Sequence, residues 1–194
     1  MPSCAALILT GGSSTRFHKD KLSAPLLGAR VVDRAIAAVG ELDIDAFEAG
    51  PGYSKFVRIA DTEGSNPLAA IAKGWLGIRS AAANPPQSVL VVSGDLGNID
   101  ARTLRFLAGF PGSFSVVPDD GNFQLLCARW ASDALWRAVE IAAEHRVYPV
   151  RTALGDKQVT WKDTRWREMG VISPFFDVDT GEDLEILRQR LESQ

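Results

Sequence analysis

The chain has 194 residues, of which 46% are apolar and 23% are charged, and its formal net charge is −3. This length suits one domain over residues 1–194, and this composition excludes a disordered, collagen-like or coiled-coil protein. The small negative charge, with both signs mixed along the chain, argues against a nucleic-acid partner, which would require a basic patch.

The rest of the composition limits location and chemistry. The longest apolar runs are far shorter than the roughly 20 residues that span a bilayer, and the N-terminus lacks the pattern of a secretory signal. Cys4 and Cys127 lie in apolar runs without metal-ligand spacing, and His18 and His145 are too few for a histidine metal site or a convincing hydrolase triad. We therefore expect a cytoplasmic protein with reduced thiols and no membrane partner.

The first predicted element is a central strand at 5–9, because a continuous apolar run suits a strand covered on both faces. A polar, glycine-rich loop follows. Apolar residues at helical spacing then predict a helix from Val31 to Val39, with Gly40 as its C-terminal stop. The next predicted elements are strands at 44–49 and 56–60, a helix at 67–80, a strand at 88–93, a helix at 101–108, strands at 114–117 and 123–128, and a helix at 132–144.

The C-terminal part has a weaker pattern. Residues 146–170 mix prolines and glycines with tyrosine and tryptophan, and we predict them to be mostly irregular. The last helix has the clearest start, since Thr180 as N-cap and Asp183 three residues later resemble a capping box. Alternating strands and helices predict a mostly parallel sheet with helices on both faces, which binds its ligands at the carboxyl ends of the strands.

The glycine-rich loop directly after the first strand is the strongest candidate site. Gly11 and Gly12 carry no Cβ, so backbone N–H groups there can approach a phosphate closely. Arg16 and Lys21 add positive charge suited to phosphate oxygens. The spacing matches neither a P-loop nor a dinucleotide-binding fold. Taken alone, the loop is equally compatible with a tight surface turn.

Two aspartate segments are candidate metal ligands. Asp95 follows the second apolar strand, where a carboxylate can offer a hard oxygen to Mg²⁺; the alternative is an N-cap, a role also open to Asn98 or Asp100. Asp177 and Asp179 alternate along an extended segment, so they point the same way and could face a metal together. Their alternative is a pair of solvent-facing carboxylates at a strand edge.

Taken together, these segments resemble the MobA-like nucleotidyltransferases of molybdenum cofactor biosynthesis. The family pattern Leu-x-Gly-Gly-x-Ser-x-Arg-Phe/Met-Gly-x-Asp-Lys is matched at Leu9, Gly11, Gly12, Ser14, Arg16, Phe17, Asp20 and Lys21. Shorter family segments are similar to residues 66–70, 93–97, 124–129 and 177–184. The chain departs from the family at His18, which replaces a glycine, at Gly97 and Gly181, which replace prolines, and at Asp177 and Asp179, which replace asparagines.

The resemblance implies a three-layer, Rossmann-like sandwich of the nucleotide-diphospho-sugar transferase type. It implies transfer of GMP from GTP to molybdopterin with release of pyrophosphate, using Mg²⁺ as cofactor. In this reading Arg16, Lys21 and Asp95 are catalytic, and Asp95 and Asp179 hold the metal. The implied nucleotide-binding residues are Leu9, Thr10, Gly11, Gly12, Lys21, Asp61 and Asp95.

Three alternatives stay open at this level. Paired aspartates before Thr180 also occur in cytidylyl-transferring relatives, so the chain could use CTP or another small phosphorylated acceptor. His18 and the two lost prolines are compatible with a nucleotide-binding homologue that has lost catalysis. A structural or interaction module without nucleotide would leave the order of the three motif segments unexplained.

Overall fold

A seven-stranded sheet forms the centre of the computed structural model, which describes residues 3–11, 20–60, 66–144, 149–155, 158–162 and 171–193. The strands are β1 (Cys4–Leu9), β2 (Pro25–Leu26), β3 (Ala29–Arg30), β4 (Ala46–Ala49), β5 (Val57–Ala60), β6 (Ser88–Ser93), β7 (Ser115–Asp119), β8 (Cys127–Ala131) and β9 (Gln158–Lys162). The helices are α1 (Val31–Gly40), α2 (Pro67–Ala81), α3 (Ala101–Ala108), α4 (Ser132–Ala143), α5 (Arg151–Leu154) and α6 (Gly181–Glu192). β2 and β3 form a separate short hairpin.

The strand order of the large sheet is β5-β4-β1-β6-β8-β7-β9. β1 pairs in parallel with β4 and β6, β4 pairs in parallel with β5, and β7 pairs in parallel with β9. β8 runs antiparallel to both of its neighbours. The predicted mostly parallel sheet is therefore confirmed.

Alternate residues of β1 send their side chains to opposite faces of the sheet, as the strand period requires. Leu7 packs in the core cluster that contains residues of α2 and α4, whereas Ile8 packs in the cluster that contains residues of α1 and α3. Both side chains are fully buried. This two-sided burial explains why the strand is apolar throughout and confirms the helix–sheet–helix layering.

Local signals begin several helices where the sequence predicts them. The Asn66 side chain accepts a hydrogen bond from the Ala69 amide at 2.9 Å, and Pro67 occupies the first turn of α2. Thr180 and Asp183 form the predicted reciprocal capping box at the start of α6. Asp100 caps α3 by accepting from the Thr103 amide at 2.7 Å, so Asp95 is free of the capping role considered for it.

Two predictions for the second half of the chain are wrong. The strand predicted at 123–128 lies at Cys127–Ala131, because residues 124–127 form a turn in which the Cys127 amide bonds the Gln124 carbonyl at 3.1 Å. Within the segment predicted to be mostly irregular, residues 151–154 form α5 and residues 158–162 form β9. β9 obtains its backbone partners from β7, a long-range pairing that local composition does not encode.

The C-terminal helix α6 packs against the short β2–β3 hairpin. Leu187 is fully buried in a third apolar cluster with Leu26, Val31 and Val178. This packing anchors the segment that precedes α6 against the residues that follow β1 and β6. None of the helices in the described part of the chain has the length and apolar content needed to cross a membrane.

Candidate functional site

The site lies where the strand order changes direction. From β1 the chain proceeds outward to β4 and β5, and it returns to the opposite side of β1 with β6. Leu9 at the end of β1 stands opposite Ser93 at the end of β6, and the Gly94 amide donates to the Leu9 carbonyl at 2.9 Å. A crevice at such a switch point is the usual ligand site of an open α/β sheet.

Lys21 connects the two aspartate segments at this point. Its ammonium nitrogen lies 2.6 Å from Oδ2 of Asp95 and 2.8 Å from Oδ1 of Asp179. Burial lowers the pKa of Lys21, but the charge of Asp95 and the hydrogen bonds to Asp179 and Asp95 outweigh this effect and raise the pKa above its ordinary value. Lys21 is therefore a fixed cation held between two carboxylates.

A short 3₁₀ turn places Lys21. The turn spans Lys21–Ser23, and the side chain of Asp20 caps it by accepting from the Leu22 amide at 3.1 Å. The Leu22 side chain is buried and anchors the turn. The adjacent Asp20 and Lys21 of the sequence motif therefore act together, because Asp20 caps the turn that places Lys21 in the site.

Backbone contacts fix the two carboxylates relative to each other. The Val178 amide donates to the Asp95 carbonyl at 3.0 Å, and Leu96 and Asp177 form an antiparallel bridge. The Asp179 amide donates to the Asp183 carboxylate at 3.1 Å, which ties Asp179 to the cap of α6. The capping box recognised in the sequence therefore also positions a site residue.

Asp177 adds a third carboxylate beside this pair. Desolvation and the nearby charge of Asp95 raise the pKa of Asp177 above its ordinary value, with Asp179 contributing in the same direction. Asp177 therefore lies within electrostatic range of Asp95 and Asp179, but among the described residues the three side chains are not grouped to hold one metal ion, and a metal shared by Asp177 and Asp179 stays a prediction. Their mutual repulsion favours a cation at this point.

A cleft of about 160 Å³ opens next to Lys21. The ends of β1 and β6 and the first turn of α2 line it, through Leu9, Thr10, Gly11, Lys21, Leu22, Pro67, Ala70, Ser93, Asp95 and Leu126. All five predicted nucleotide-binding residues within the described part of the chain therefore share one cavity, and one of them, Asp95, is also a predicted metal ligand, whereas Asp179 does not line this cleft. Gly12, Arg16 and Asp61 lie outside the described residues, so their roles stay predictions.

Glu48 is a site residue that the sequence reading missed. It lies in β4, is fully buried, and accepts a 2.5 Å hydrogen bond from the Thr10 hydroxyl. It also accepts from the amides of Gly52, Tyr53 and Ser54 at 2.7 to 3.0 Å. The one signal in the sequence was a charged residue inside the apolar run 46–49.

These contacts make Glu48 the support of Thr10, the residue that follows β1. Burial raises the pKa of Glu48, but the hydrogen bonds from Ser54, Thr10 and the backbone amides outweigh it and lower the pKa below its ordinary value. The carboxylate therefore stays ionised as it holds Thr10. The Thr10 amide is itself bonded to the Ala49 carbonyl at 3.0 Å, so both polar contacts of Thr10 tie it to β4.

Gly50 permits the close approach of these two loops. Its φ is +157°, and a Cβ at this position would lie 2.0 Å from the Thr10 hydroxyl oxygen and 2.7 Å from the Gly11 amide nitrogen. No other residue could occupy position 50 without moving the candidate nucleotide loop. The constraint at Gly97 is weaker, because a Cβ there would lie 2.3 Å from Cδ2 of Leu187, the end of a side chain that can move. Leu187 thus fills the space beside the position that holds proline in the family pattern.

The donor set is compatible with a nucleotide-borne Mg²⁺. Among the described residues, no three His, Cys, Asp or Glu side chains are grouped to hold a metal ion by themselves. Mg²⁺, however, is usually bound through one or two carboxylates together with substrate phosphates. Asp95 and Asp179 supply two carboxylate oxygens that converge on one cation, now the ammonium of Lys21.

Comparison with known sequence families identifies the domain. Residues 6–158 match the MobA-like NTP transferase domain. The chain belongs to this nucleotidyltransferase family. The matched range contains β1, the loop after it, Lys21 and Asp95, whereas Asp177 and Asp179 lie beyond it. A search of curated protein sequences gave no significant match.

Solved structures with the same fold cover nearly the whole chain. The molybdopterin-guanine dinucleotide biosynthesis protein A of Archaeoglobus fulgidus has a TM-score of 0.75 at 16% identity, with 98% of this chain and 100% of that chain covered. The 2-C-methyl-D-erythritol 4-phosphate cytidylyltransferase of Thermus thermophilus has a TM-score of 0.67 at 12% identity, with 96% and 98% covered. Rv0371c of Mycobacterium tuberculosis, in complex with manganese, has a TM-score of 0.62 at 12% identity, also with 96% and 98% covered. These similarities confirm the nucleotide-diphospho-sugar transferase-like fold.

Proposed function

We propose that this nucleotidyltransferase transfers GMP from GTP to molybdopterin, with release of pyrophosphate. The observation that carries the proposal is the convergence of Asp95 and Asp179 on Lys21, which lines the cleft at the switch point together with Gly11 and Asp95. The family pattern around these residues and the fold shared with a molybdopterin-guanine dinucleotide biosynthesis protein support the choice of substrates.

In the proposed reaction the terminal phosphate of molybdopterin attacks the α-phosphorus of GTP in line. A new P–O bond forms as the bond to the β-phosphate oxygen breaks, and pyrophosphate leaves with that electron pair. The attacking phosphate is already ionised near neutral pH, so no general base is required. The protein's task is positioning and charge neutralisation.

Each side chain then has a stated part. The backbone around Gly11 faces the triphosphate, and Lys21 turns from its two carboxylates to the phosphate oxygens, aided by Arg16. Asp95 and Asp179, released from the ammonium, would hold Mg²⁺, which supplies further positive charge at the phosphate oxygens. The manganese complex of Rv0371c, a protein of the same fold, supports a divalent ion in this role.

The assay is pyrophosphate release from each of the four NTPs with Mg²⁺ and molybdopterin. We expect GTP to be preferred and Asp95→Asn to lose on the order of 10²-fold or more in turnover, because it removes charge from a metal ligand. Asp43→Asn, an exposed aspartate remote from the cleft, is the matched control and should retain full activity. Equal activity of the Asp95 variant and the wild type would refute the proposal.

A cytidylyltransferase is the second candidate. Asp177 and Asp179 precede Thr180 as they do in cytidylyl-transferring relatives, and cytidylyltransferase structures share the fold. Pyrophosphate release with CTP and little with GTP would establish it. Binding of GTP without turnover, in the wild type and in Asp95→Asn alike, would instead identify a nucleotide-binding homologue that has lost catalysis.

A further inference from the structure

Ser93 is the last residue of β6 and lines the candidate nucleotide cleft. Its amide donates to the Leu126 carbonyl at 2.8 Å, and its backbone pairs with Leu9 of β1. Val89 and Val91 of the same strand pack in the core cluster that contains residues of α2, and the alternation of side chains along a strand places Ser93 on that face. The sheet therefore fixes the position from which the Ser93 hydroxyl acts.

The Ser93 hydroxyl holds one oxygen of the proposed metal ligand Asp95. It donates to Oδ1 of Asp95 at 2.5 Å, whereas the Lys21 ammonium donates to Oδ2 at 2.6 Å. A serine hydroxyl carries a single proton, so this bond uses the only hydrogen that Ser93 can donate from its side chain. The two oxygens of Asp95 thus have different partners, a neutral donor fixed by the sheet and an ammonium on a flexible stem.

These two contacts have different fates in the proposed reaction. Lys21 turns to the phosphate oxygens and releases Oδ2 of Asp95, whereas the short side chain of Ser93 stays beside Oδ1 because its backbone belongs to β6. The released oxygen is the one that faces the same ammonium as Oδ1 of Asp179. Asp95 therefore offers a divalent ion one oxygen, on the side where Asp179 offers another.

We propose that Ser93 is a positioning residue that makes Asp95 a one-oxygen ligand and thereby favours Mg²⁺ over Ca²⁺. Mg²⁺ requires near-ideal octahedral geometry and is usually bound through one or two carboxylates, waters and substrate phosphates. Ca²⁺ takes roughly six to eight oxygens and often uses both oxygens of one carboxylate. Binding through both oxygens of Asp95 would place the ion and the Ser93 proton in competition for Oδ1. The inference rests on the proposed function, because it concerns the ion bound with the nucleotide in that reaction.

The test measures how tightly the full chain binds the magnesium and calcium complexes of GTP, by isothermal titration calorimetry with each metal in excess and without acceptor. A parallel series uses CTP, and the ratio of the two dissociation constants is taken for the nucleotide that binds more tightly. We expect the wild type to prefer the magnesium complex at least about tenfold, the effect of one hydrogen bond to a charged group. In Ser93→Ala the preference should fall to about threefold or less, through tighter binding of the calcium complex.

Two further variants separate selectivity from stability. Ser93→Thr keeps the hydroxyl and should restore most of the wild-type preference. Ser80→Ala is the matched control, because Ser80 is exposed near the C-terminal end of α2 and its hydroxyl donates to the Leu76 carbonyl at 3.0 Å. It should leave the preference unchanged. Thermal unfolding verifies that each variant is folded, and a loss of stability alone would weaken both complexes alike without changing their ratio.

The outcomes distinguish this inference from the proposed function. Equal preferences in Ser93→Ala and Ser80→Ala, or a Ser93→Thr variant that behaves like Ser93→Ala, would overturn the inference even if pyrophosphate is released with Mg²⁺. A preference that falls in Ser93→Ala and recovers in Ser93→Thr would uphold it. If that pattern occurs with no pyrophosphate release from any NTP, the proposed reaction fails and the role of Ser93 stands. If neither nucleotide binds, both fail.

Discussion

Replacing Lys21 by methionine should destabilise the protein and at the same time improve its affinity for a divalent ion. The ammonium lies 2.6 and 2.8 Å from oxygens of Asp95 and Asp179. Methionine retains most of the side-chain length but removes the ammonium that bridges the two carboxylates. The same change therefore removes a stabilising contact and the positive charge between two proposed metal ligands.

The magnitude follows from burial. The Lys21 and Asp95 side chains are 18% and 15% exposed, whereas Asp179 is 42% exposed and better screened by solvent. Breaking a fully buried ion pair costs about 3–5 kcal/mol, and an exposed pair contributes about 1 kcal/mol at most. We expect an intermediate loss of about 2–3 kcal/mol in the free energy of unfolding. For a domain of this size, that is a decrease of roughly 5–10 °C in Tm.

The second effect is a gain in metal affinity. Two like charges about 4 Å apart repel by about 4 kcal/mol at an effective dielectric of 20, so an ion that binds beside the ammonium meets substantial repulsion. In Lys21→Met we expect Mn²⁺ to bind without nucleotide at least about tenfold more tightly, since a tenfold change requires only about 1.4 kcal/mol. Electron paramagnetic resonance titration of free Mn²⁺ and urea unfolding measure the two quantities.

Lys55→Met is the matched control, because Lys55 is exposed in the loop between β4 and β5, whereas Asp95 follows β6 and Asp179 precedes α6. It should change neither the unfolding free energy nor the Mn²⁺ affinity. In an Asp95→Asn background the destabilisation by Lys21→Met should shrink, because one of the two carboxylates is already neutral. If Lys21→Met matches the wild type in both unfolding free energy and Mn²⁺ affinity, the contacts of Lys21 with Asp95 and Asp179 neither stabilise the fold nor oppose metal binding.

Three further changes test other parts of the structure. Glu48→Gln should lower the free energy of unfolding by about 2–4 kcal/mol at neutral pH, because an amide cannot accept the hydrogen bonds of both carboxylate oxygens. Since the pKa of Glu48 is lowered, its stabilising contribution is present above the ordinary value of 4.5 and is lost as the pH falls through the pKa of the folded state. Urea unfolding across acidic pH should therefore show a smaller acid dependence in the variant. Asp177→Asn should stabilise the nucleotide-free protein by up to about 1 kcal/mol near neutral pH. Because the pKa of Asp177 is raised, the free energy of unfolding should fall as the pH rises above the ordinary value of 3.8, and a variant that retains this fall would show that Asp177 does not cause it. Gly181→Pro should raise the free energy of unfolding by about 0.4–1 kcal/mol, because proline suits the first residue of a helix and a Cβ at position 181 meets nothing within 4 Å. Thr180 already has the extended backbone that residues before proline adopt. A lower Tm of the variant would show that the Gly181 amide has a role in the cap of α6.

The sequence determined the elements whose signals are local. The continuous apolar run of β1, the proline at the start of α2 and the capping box at Thr180 each act within a few residues, so composition and spacing predicted them. Gly11 and Asp95 were recognised for the same reason, because a strand end followed by glycine or aspartate is visible in one short segment, whereas Lys21 was recognised as a positive charge in the polar loop after β1.

The tertiary structure decided which of these residues meet. Lys21 bonds Asp95 and Asp179 across 74 and 158 positions of sequence, and no local pattern specifies a contact of that range. The shift of β8 to 127–131 and the presence of β9 have the same origin, since both strands depend on partners elsewhere in the sheet. The role of Glu48 could not be predicted from the sequence, because it depends on hydrogen bonds from Thr10 and from residues 52–54 that form only in the folded chain. Short-range sterics and capping can be read from neighbouring residues, whereas ion pairs, register and buried hydrogen bonds exist only once the sheet has brought distant segments together.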